Sequence, residues 1–293
     1  MKPLIAFLAT LLTACGFADD NPTELGTVSW LTDHDKAFAL SEESGKPVFL
    51  LFQEVPGCAG CTKFGKEILS HPLIVESIET DFIPLLVRNN KPGKEAELLK
   101  KYKEPSWNYP VVRFFGKGAK ELLPRRDSQF TLNQVLPRME QALANAGSKS
   151  KILPLAKPET AATSKLALAQ HCFWTGELAI GGINGVTSTE AGWLDGREVT
   201  LINYDKKVVS EEEIISQAKA QSCADKAYRG SELNGYRTAR LHDQKRQLQG
   251  TKFGRLSDLT AYQKTKLNAF ARGNPKRAID FLSPRQLEQL AQL

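Results

Sequence analysis

The sequence predicts an exported α/β chain built from two globular units. Three observations predict it. The N-terminus is charged and then briefly apolar. Apolar runs alternate with helically spaced segments on both sides of a stretch rich in Gly, Ser, Lys and Pro. Four cysteines lie beyond the N-terminal stretch. The 293 residues are too many for one ordinary small domain, and 41% hydrophobic with 25% charged residues is a globular composition.

The chain opens MKPLIAFLATLLTAC, with Lys2 before the apolar run Leu4 to Leu12. Nine such residues fall short of the roughly 20 that a membrane-crossing helix needs. The pattern is that of an export signal over residues 1–14. Leu12-Thr13-Ala14-Cys15 resembles a bacterial lipoprotein lipobox. That resemblance implies a lipid on Cys15, a tether over 15–23 and attachment to a membrane in the periplasm or cell envelope. The plainer alternative is a cleaved signal followed by a coincidental cysteine. No later segment is long and apolar enough to span a bilayer, and nucleic acid is not an expected partner.

The first unit is expected over residues 24–146. Val48 to Phe52 form one continuous apolar run, the mark of a strand buried on both faces. Phe64, Ile68 and Leu69 keep helical spacing until His71-Pro72 interrupts it. FIPLLV (Phe82 to Val87) reads as a strand, KPGKEAELLKKYK as a helix, and NYPVVRFF as a strand entered through Tyr109-Pro110. After Thr131, a candidate N-cap, Leu132, Val135, Leu136, Met139 and Leu143 mark one helical face. Strands alternating with helices define an α/β unit.

GSKSKILPLAKPET, residues 147–160, has little periodicity and reads as a linker. A second, α+β unit is expected over 161–235. SKLALAQ reads as a strand, HCFWTGELAIGG as a helix start, and VTSTEAGW and REVTLINYD as β-branched strands. SEEEIISQAKAQ follows as a helix with Ser210 and Glu213 in capping-box positions. Residues 236–293 form a basic helical segment with twelve Lys/Arg against four Asp/Glu. That surplus of eight, within a whole-chain charge of +6, leaves −2 for the remainder. The segment is expected either to pack on that acidic remainder or to lie on anionic headgroups, the first being the blander reading. Helices are expected from Thr260 to Arg272 and from Ser283 onward.

The first chemical motif is VPGCAGCT, Val55 to Thr62. A zinc site needs two more Cys or His ligands at suitable spacing, and only His71 is near. A c-type haem needs His after Cys61, where Thr62 stands. No metal or cofactor is therefore expected. As a staple the pair is weak, since closing so short a loop restricts the unfolded chain by only about 2 kcal/mol. As a redox couple it is well placed. Cys58 falls where a strand gives way to a helix, and there the helix dipole and free N–H groups favour a thiolate. Cys61, one turn on, would resolve the mixed disulfide.

Strand, C-x-x-C, helix and then a Pro-led strand resemble the thioredoxin superfamily over about residues 24–146. The resemblance implies that Pro110 is the cis-proline beside the active disulfide and helps receive substrate backbone. Val55-Pro56-Gly57-Cys58 with Thr62 resembles the VPGUxxT thioredoxin-like group, in which selenocysteine can occupy the position of Cys58. That implies Cys58 is the attacking residue.

The second motif, HCFWTGE (His171 to Glu177), again puts a cysteine at a strand-to-helix junction. On the residues alone, a buried core cysteine and an activated one are equally good readings. The layout of His171 to Glu177, Gly185-Val186-Thr187-Ser188-Thr189, Gly192-Trp193, Glu198-Val199 and Tyr204-Asp205 is similar to peptide methionine sulfoxide reductase A, over about 163–220. The resemblance implies that Cys172 attacks the sulfoxide sulfur to give a sulfenic acid. It further implies that Phe173 and Trp174 hold the substrate methyl group and that Glu198 protonates the sulfoxide oxygen. Cys223, 51 residues after Cys172, either resolves the oxidised Cys172 or forms a stable bridge with it.

Together the motifs predict a thiol–disulfide oxidoreductase. Oxidation would enter at Cys172, pass to Cys223 and be discharged by Cys58 and Cys61. The expected partners are an oxidised protein or peptide and an upstream thiol reductant that the chain does not encode. The competing expectation is a non-catalytic envelope lipoprotein whose cysteines form two structural disulfides on a binding scaffold.

Overall fold

The computed structural model describes residues 21–293 apart from 106, 108 and 222, so the signal stretch 1–14 and Cys15 lie outside the described residues. The chain folds as a mixed α/β structure. Helix α1 (His34–Ser44) starts at Asp33, whose side chain accepts the Lys36 N–H at 3.0 Å, and stops at Gly45, whose left-handed φ of 74° ends it. Strand β1 (Val48–Gln53) is buried at every position. Helices α2 (Ala59–Glu67) and α3 (Pro72–Asp81) follow, then β2 (Ile83–Arg88), α4 (Lys94–Lys101), β3 (Val111–Phe115) and α5 (Leu132–Asn145). The sheet order is β2-β1-β3, with β1 parallel to β2 and antiparallel to β3. The central position of β1 explains its unbroken apolar run. One of its faces, with Phe49 and Leu51, packs under α2, α3 and α5, and the other, with Val48, Leu50 and Phe52, under α1 and α4. Each such side chain contributes about 1.5–3 kcal/mol on burial.

The stretch 147–160, expected to be a linker, is packed instead. It contains the short helix α6 (Leu153–Ala156) and a 3-10 turn over Lys157–Thr160. Ile152, Leu153 and Ala156 join the core that holds Ile78, Phe82 and Leu143. The Ser150 hydroxyl donates to Asp81 at 2.6 Å and accepts the N–H groups of Ile152 and Leu153. Lys and Pro dominate the composition here, but the few apolar residues fall on one turn, and that turn finds the first core.

Beyond it come β4 (Thr163–Ala169), α7 (Phe173–Gly181), β5 (Val186–Leu194), β6 (Arg197–Asp205), α8 (Glu211–Ala220) and β7 (Lys226–Tyr228). Then follow β8 (Arg237–Thr238), α9 (Ala261–Phe270), α10 (Pro275–Ile279) and α11 (Pro284–Gln292). The sheet is β7-β4-β6-β5-β8, antiparallel throughout, and α7 and α8 cover one face.

Residue 236 is therefore not a boundary. β8 is a strand of the second sheet, and the Tyr236 ring lies where a Cβ on Gly192 would come within 2.3 Å of it. Beyond β8 and the Ala239 N–H, which donates to the Ala191 carbonyl at 2.9 Å, the outer side of β5 is closed by side chains. The Gln244 amide both accepts the Ala191 N–H at 3.0 Å and donates to the Ala191 carbonyl at 2.7 Å. Thr265 accepts the Thr189 N–H at 3.3 Å, and Lys245 donates to the Thr189 carbonyl. Lys245 also pairs with Glu177, a carboxylate with no exposed surface. Buried Lys266 donates to the carbonyls of Gly181 at 2.9 Å and Ile183 at 2.7 Å, at the end of α7.

The basic segment thus packs on the remainder of the chain. It reaches the first unit through Arg285, whose guanidinium donates to Glu79 at 2.7 Å and whose N–H donates to Glu76 at 2.9 Å. These contacts and the Ser150–Asp81 bond gather around the end of α3, next to the start of β2. Because β2 runs parallel to β1, that is the end of the sheet remote from Cys58. Six residues of strand separate the two ends by about 20 Å.

Candidate active sites

The first site forms where β1 ends. Gln53 and Glu54 lead into a cis Val55–Pro56 bond, then Gly57, and Cys58 caps α2. Only glycine fits at 57, because a Cβ there would lie 2.4 Å from the Glu54 carbonyl oxygen and 2.6 Å from the Cys61 Cβ. Asn90 ties the turn down, accepting the Val55 N–H at 3.3 Å and donating to the Val55 carbonyl at 3.1 Å. The Glu24 carboxylate accepts the Gly57 N–H at 3.0 Å and the Thr62 hydroxyl at 3.4 Å. The Gly57 bond is the main reason that carboxyl is held below its usual range. Tyr109–Pro110 is also cis, and a Cβ on Gly60 would lie 3.7 Å from Cys58 Sγ and 3.9 Å from the Tyr109 carbonyl oxygen. The exposed sulfur and the carbonyl that precedes Pro110 therefore lie on either side of Gly60.

Cys58 is exposed, Cys61 is fully buried, and their sulfurs are 3.5 Å apart. The backbone N–H of Cys61 directed at the Cys58 sulfur lowers the Cys58 pKa, and the Cys61 thiol adds to the effect. Burial pushes the Cys61 thiol up to about 11. The pair is thus split into an accessible thiol that ionises more readily than usual and a buried partner that holds its proton within reach, the arrangement that disulfide exchange needs. Glu54 offers a carboxylate oxygen within 4.8 Å of both sulfurs. The sequence does not announce Glu54 or Glu24, since neither belongs to a recognisable spacing. Their roles come from the turn and from the segment Thr23–Leu25 packing on α2.

The second site lies at the start of α7. Cys172 is half-buried and caps the helix. The Phe173 N–H donates to Glu198 Oε2 at 2.8 Å. Glu198 pairs with Trp193 across β5 and β6, and the Trp193 ring meets Phe173 edge-on at 5.7 Å. Trp174 lies 6.1 Å from Phe173, with the Arg246 guanidinium 5.2 Å over its ring. The structure therefore brings Cys172, Phe173, Trp174 and Glu198 together and adds Trp193, 37% exposed, and Arg246. Strand alternation was the signal for Trp193, since in the β5–β6 hairpin it faces Glu198. No spacing pointed to Arg246.

Cys223 is placed differently. Its thiol is buried among Leu166, Leu168, Ile180 and Ile214, donates to the Ala218 carbonyl at 3.0 Å, and has its pKa raised by burial. Cys58, Cys61, Cys172 and Cys223 are all free thiols here. The Gln170 amide, bonded to Thr200, donates to the Cys223 carbonyl at 2.6 Å in its hydrogen-bonding orientation. That links the loop before Cys172 to the loop that carries Cys223. For the two sulfurs to meet, Cys223 must leave the core.

A family model described as thioredoxin-like matches residues 29–117. This chain therefore contains a thioredoxin-like domain, and Cys58 and Cys61 lie within the matched residues. The chain is also 36% identical over 70 residues to the peptide methionine sulfoxide reductase MsrA of Clostridium perfringens strains SM101 and ATCC 13124, a match covering 18% of this chain. The chain spans 45% of the length of those relatives. Among solved structures, a thioredoxin from Thermus thermophilus is 23% identical with a TM-score of 0.36, over 41% of this chain and 90% of that one. A DsbH oxidoreductase is 21% identical with a TM-score of 0.35, over 44% and 93%.

Proposed function

We propose that this chain is an exported thiol–disulfide oxidoreductase, lipid-anchored at Cys15, in which Cys58 attacks and Cys61 resolves. One observation carries the reading: an exposed sulfur with a lowered pKa lies 3.5 Å from a buried thiol raised to about 11. A substrate disulfide is attacked by the Cys58 thiolate and releases one thiolate. Cys61 then gives up its proton, attacks the Cys58 sulfur and frees the second thiol. The substrate is reduced by two electrons and the couple oxidised by two. Pro110 would receive the substrate backbone. The Val55-Pro56-Gly57-Cys58 stretch supports kinship with the selenocysteine-bearing thioredoxin-like group, whose chemistry also starts at the position of Cys58 and whose motif puts Thr where Cys61 stands.

The second site extends the function to oxidised sulfur. Cys172 would attack a methionine sulfoxide, with Glu198 supplying the proton and Phe173, Trp174 and Trp193 enclosing the methyl group. The products are methionine and a Cys172 sulfenic acid, which condenses with a thiol to a disulfide and water. The Cys58–Cys61 couple would then discharge the oxidised Cys172.

The test is twofold. Cys61→Ala should accumulate mixed disulfides in the envelope, and the reduction potential of the wild-type couple should lie above about −300 mV. A lower potential with nothing trapped would return the chain to the scaffold reading. For the second site, single-turnover reduction of a methionine sulfoxide peptide should vanish in Cys172→Ser. Equal turnover in that variant removes the sulfoxide chemistry.

A further inference from the structure

A metal site needs more ligands than the C-x-x-C motif supplies, and the structure provides a third. Glu54 begins the turn out of β1, Cys58 caps α2 and Cys61 lies in its first turn. One ligand atom from each falls within 4.8 Å of the others. We propose that Glu54, Cys58 and Cys61 form a three-ligand Zn2+ site in the reduced chain, with a fourth position open to solvent on the Cys58 side.

Geometry favours it. The sulfurs are 3.5 Å apart. On one tetrahedral zinc, with Zn–S near 2.3 Å, they would lie about 3.8 Å apart, a change that a small rotation of the exposed Cys58 side chain supplies. Glu54 is half-buried, and its carboxylate oxygen already lies within 4.8 Å of both sulfurs. The turn from Glu54 to Cys58 is held by Asn90 at Val55 and by Glu24 at Gly57, and Cys61 by α2, so little ordering remains to be done on binding. Two thiolates and one carboxylate suit borderline Zn2+. Softer Cu+ has little use for the carboxylate, and Mg2+ and Ca2+ have little use for the sulfurs.

No electrons move in binding. As Zn2+ binds, the two sulfurs release to solvent whatever protons they hold, and they take them back when the metal is removed. The disulfide has no thiolates to offer, so the metal binds only the reduced couple and stabilises it. Each tenfold excess of free zinc over its dissociation constant then raises the apparent potential of the couple by about 30 mV. While bound, zinc also occupies the sulfur that would attack substrate, so the same three residues would act as a metal-sensitive brake on exchange.

The test uses the reduced full chain carrying Cys172→Ser and Cys223→Ser, titrated with Zn2+ against a chromogenic chelator and separately with Co2+. One ion per chain is expected, with thiolate-to-cobalt charge transfer, strong tetrahedral bands and loss of Cys58 alkylation. Glu54→Gln should weaken binding by at least about tenfold, with Glu54→Asp falling between. The disulfide form should not bind. Equal affinity in Glu54→Gln, or binding that survives oxidation, overturns the proposal. Thiol exchange is read separately. Zinc binding without exchange would sink the oxidoreductase reading and keep this site, and exchange without Glu54-dependent binding would do the reverse.

Discussion

Phe173 donates its backbone N–H to the Glu198 carboxylate at 2.8 Å, which holds that side chain against the first turn of α7, beside the residue that caps it. Gln at 198 keeps an acceptor for the N–H but has no proton to give. Glu198→Gln should therefore leave the fold intact and slow sulfoxide turnover by about 10²–10⁴-fold, read in single-turnover assays. Glu198→Ala should in addition cost about 1 kcal/mol of stability. Turnover unaffected by Gln would show that the carboxyl only positions the helix.

The asymmetry of the first couple predicts asymmetric chemistry. In the reduced chain Cys58 should be alkylated far faster than Cys61, with a rate midpoint below that of an ordinary free cysteine. Cys61 should react only above neutrality, towards its value of about 11. Mass mapping of the modified peptides across a pH series checks both, and equal rates at the two positions would contradict the assignment of roles.

Glu177 is fully buried, and Lys245 is its charged partner. Lys245→Met leaves an uncompensated carboxylate inside the second unit and should cost about 3–5 kcal/mol in urea unfolding. Adding Glu177→Gln should return much of that loss. A small effect in the single variant would mean that the Thr189 hydroxyl and the Lys245 N–H, the other groups donating to Glu177, suffice alone.

Burial, with the Arg277 charge adding to it, pushes the Lys266 amine down to about 7 from 10.5. Between those values the unfolded chain holds a proton that the folded chain has released. Stability should therefore rise with pH across that window, by up to about 1.4 kcal/mol per unit, and fall as pH drops towards 7. Lys266→Met should flatten the profile. A wild-type profile that is already flat would mean the Gly181 and Ile183 carbonyls keep the charge in place.

Much of this architecture is legible in the sequence because it depends on local pattern. Val48 to Phe52 announces a central strand through its unbroken burial, and the Ser210 and Glu213 pair marks the start of α8. The thiol couple is legible for the same reason, since its spacing lies within one helical turn. Elements fixed by distant contacts are not. Ile152 and Leu153 look like linker residues until the α3–α5 surface receives them. Glu54 becomes a ligand candidate only once folding sets its carboxylate within 4.8 Å of both sulfurs. Gln244 and Lys245 carry no local signal, because their partners lie on β5 and α7.

Gln244, Lys245 and Thr265 have a consequence for solubility. A strand at the margin of a sheet offers free N–H and C=O groups, onto which a strand of another chain can add. In β5 the groups of Thr189 and Ala191 on that margin are already taken, by side chains and by the single Ala239 N–H rather than by a long neighbouring strand. Side chains cannot propagate a ladder as backbone does, so the second sheet ends there instead of growing from molecule to molecule. A chain cut short before residue 239 would lose that stop and become a nucleus for polymerisation.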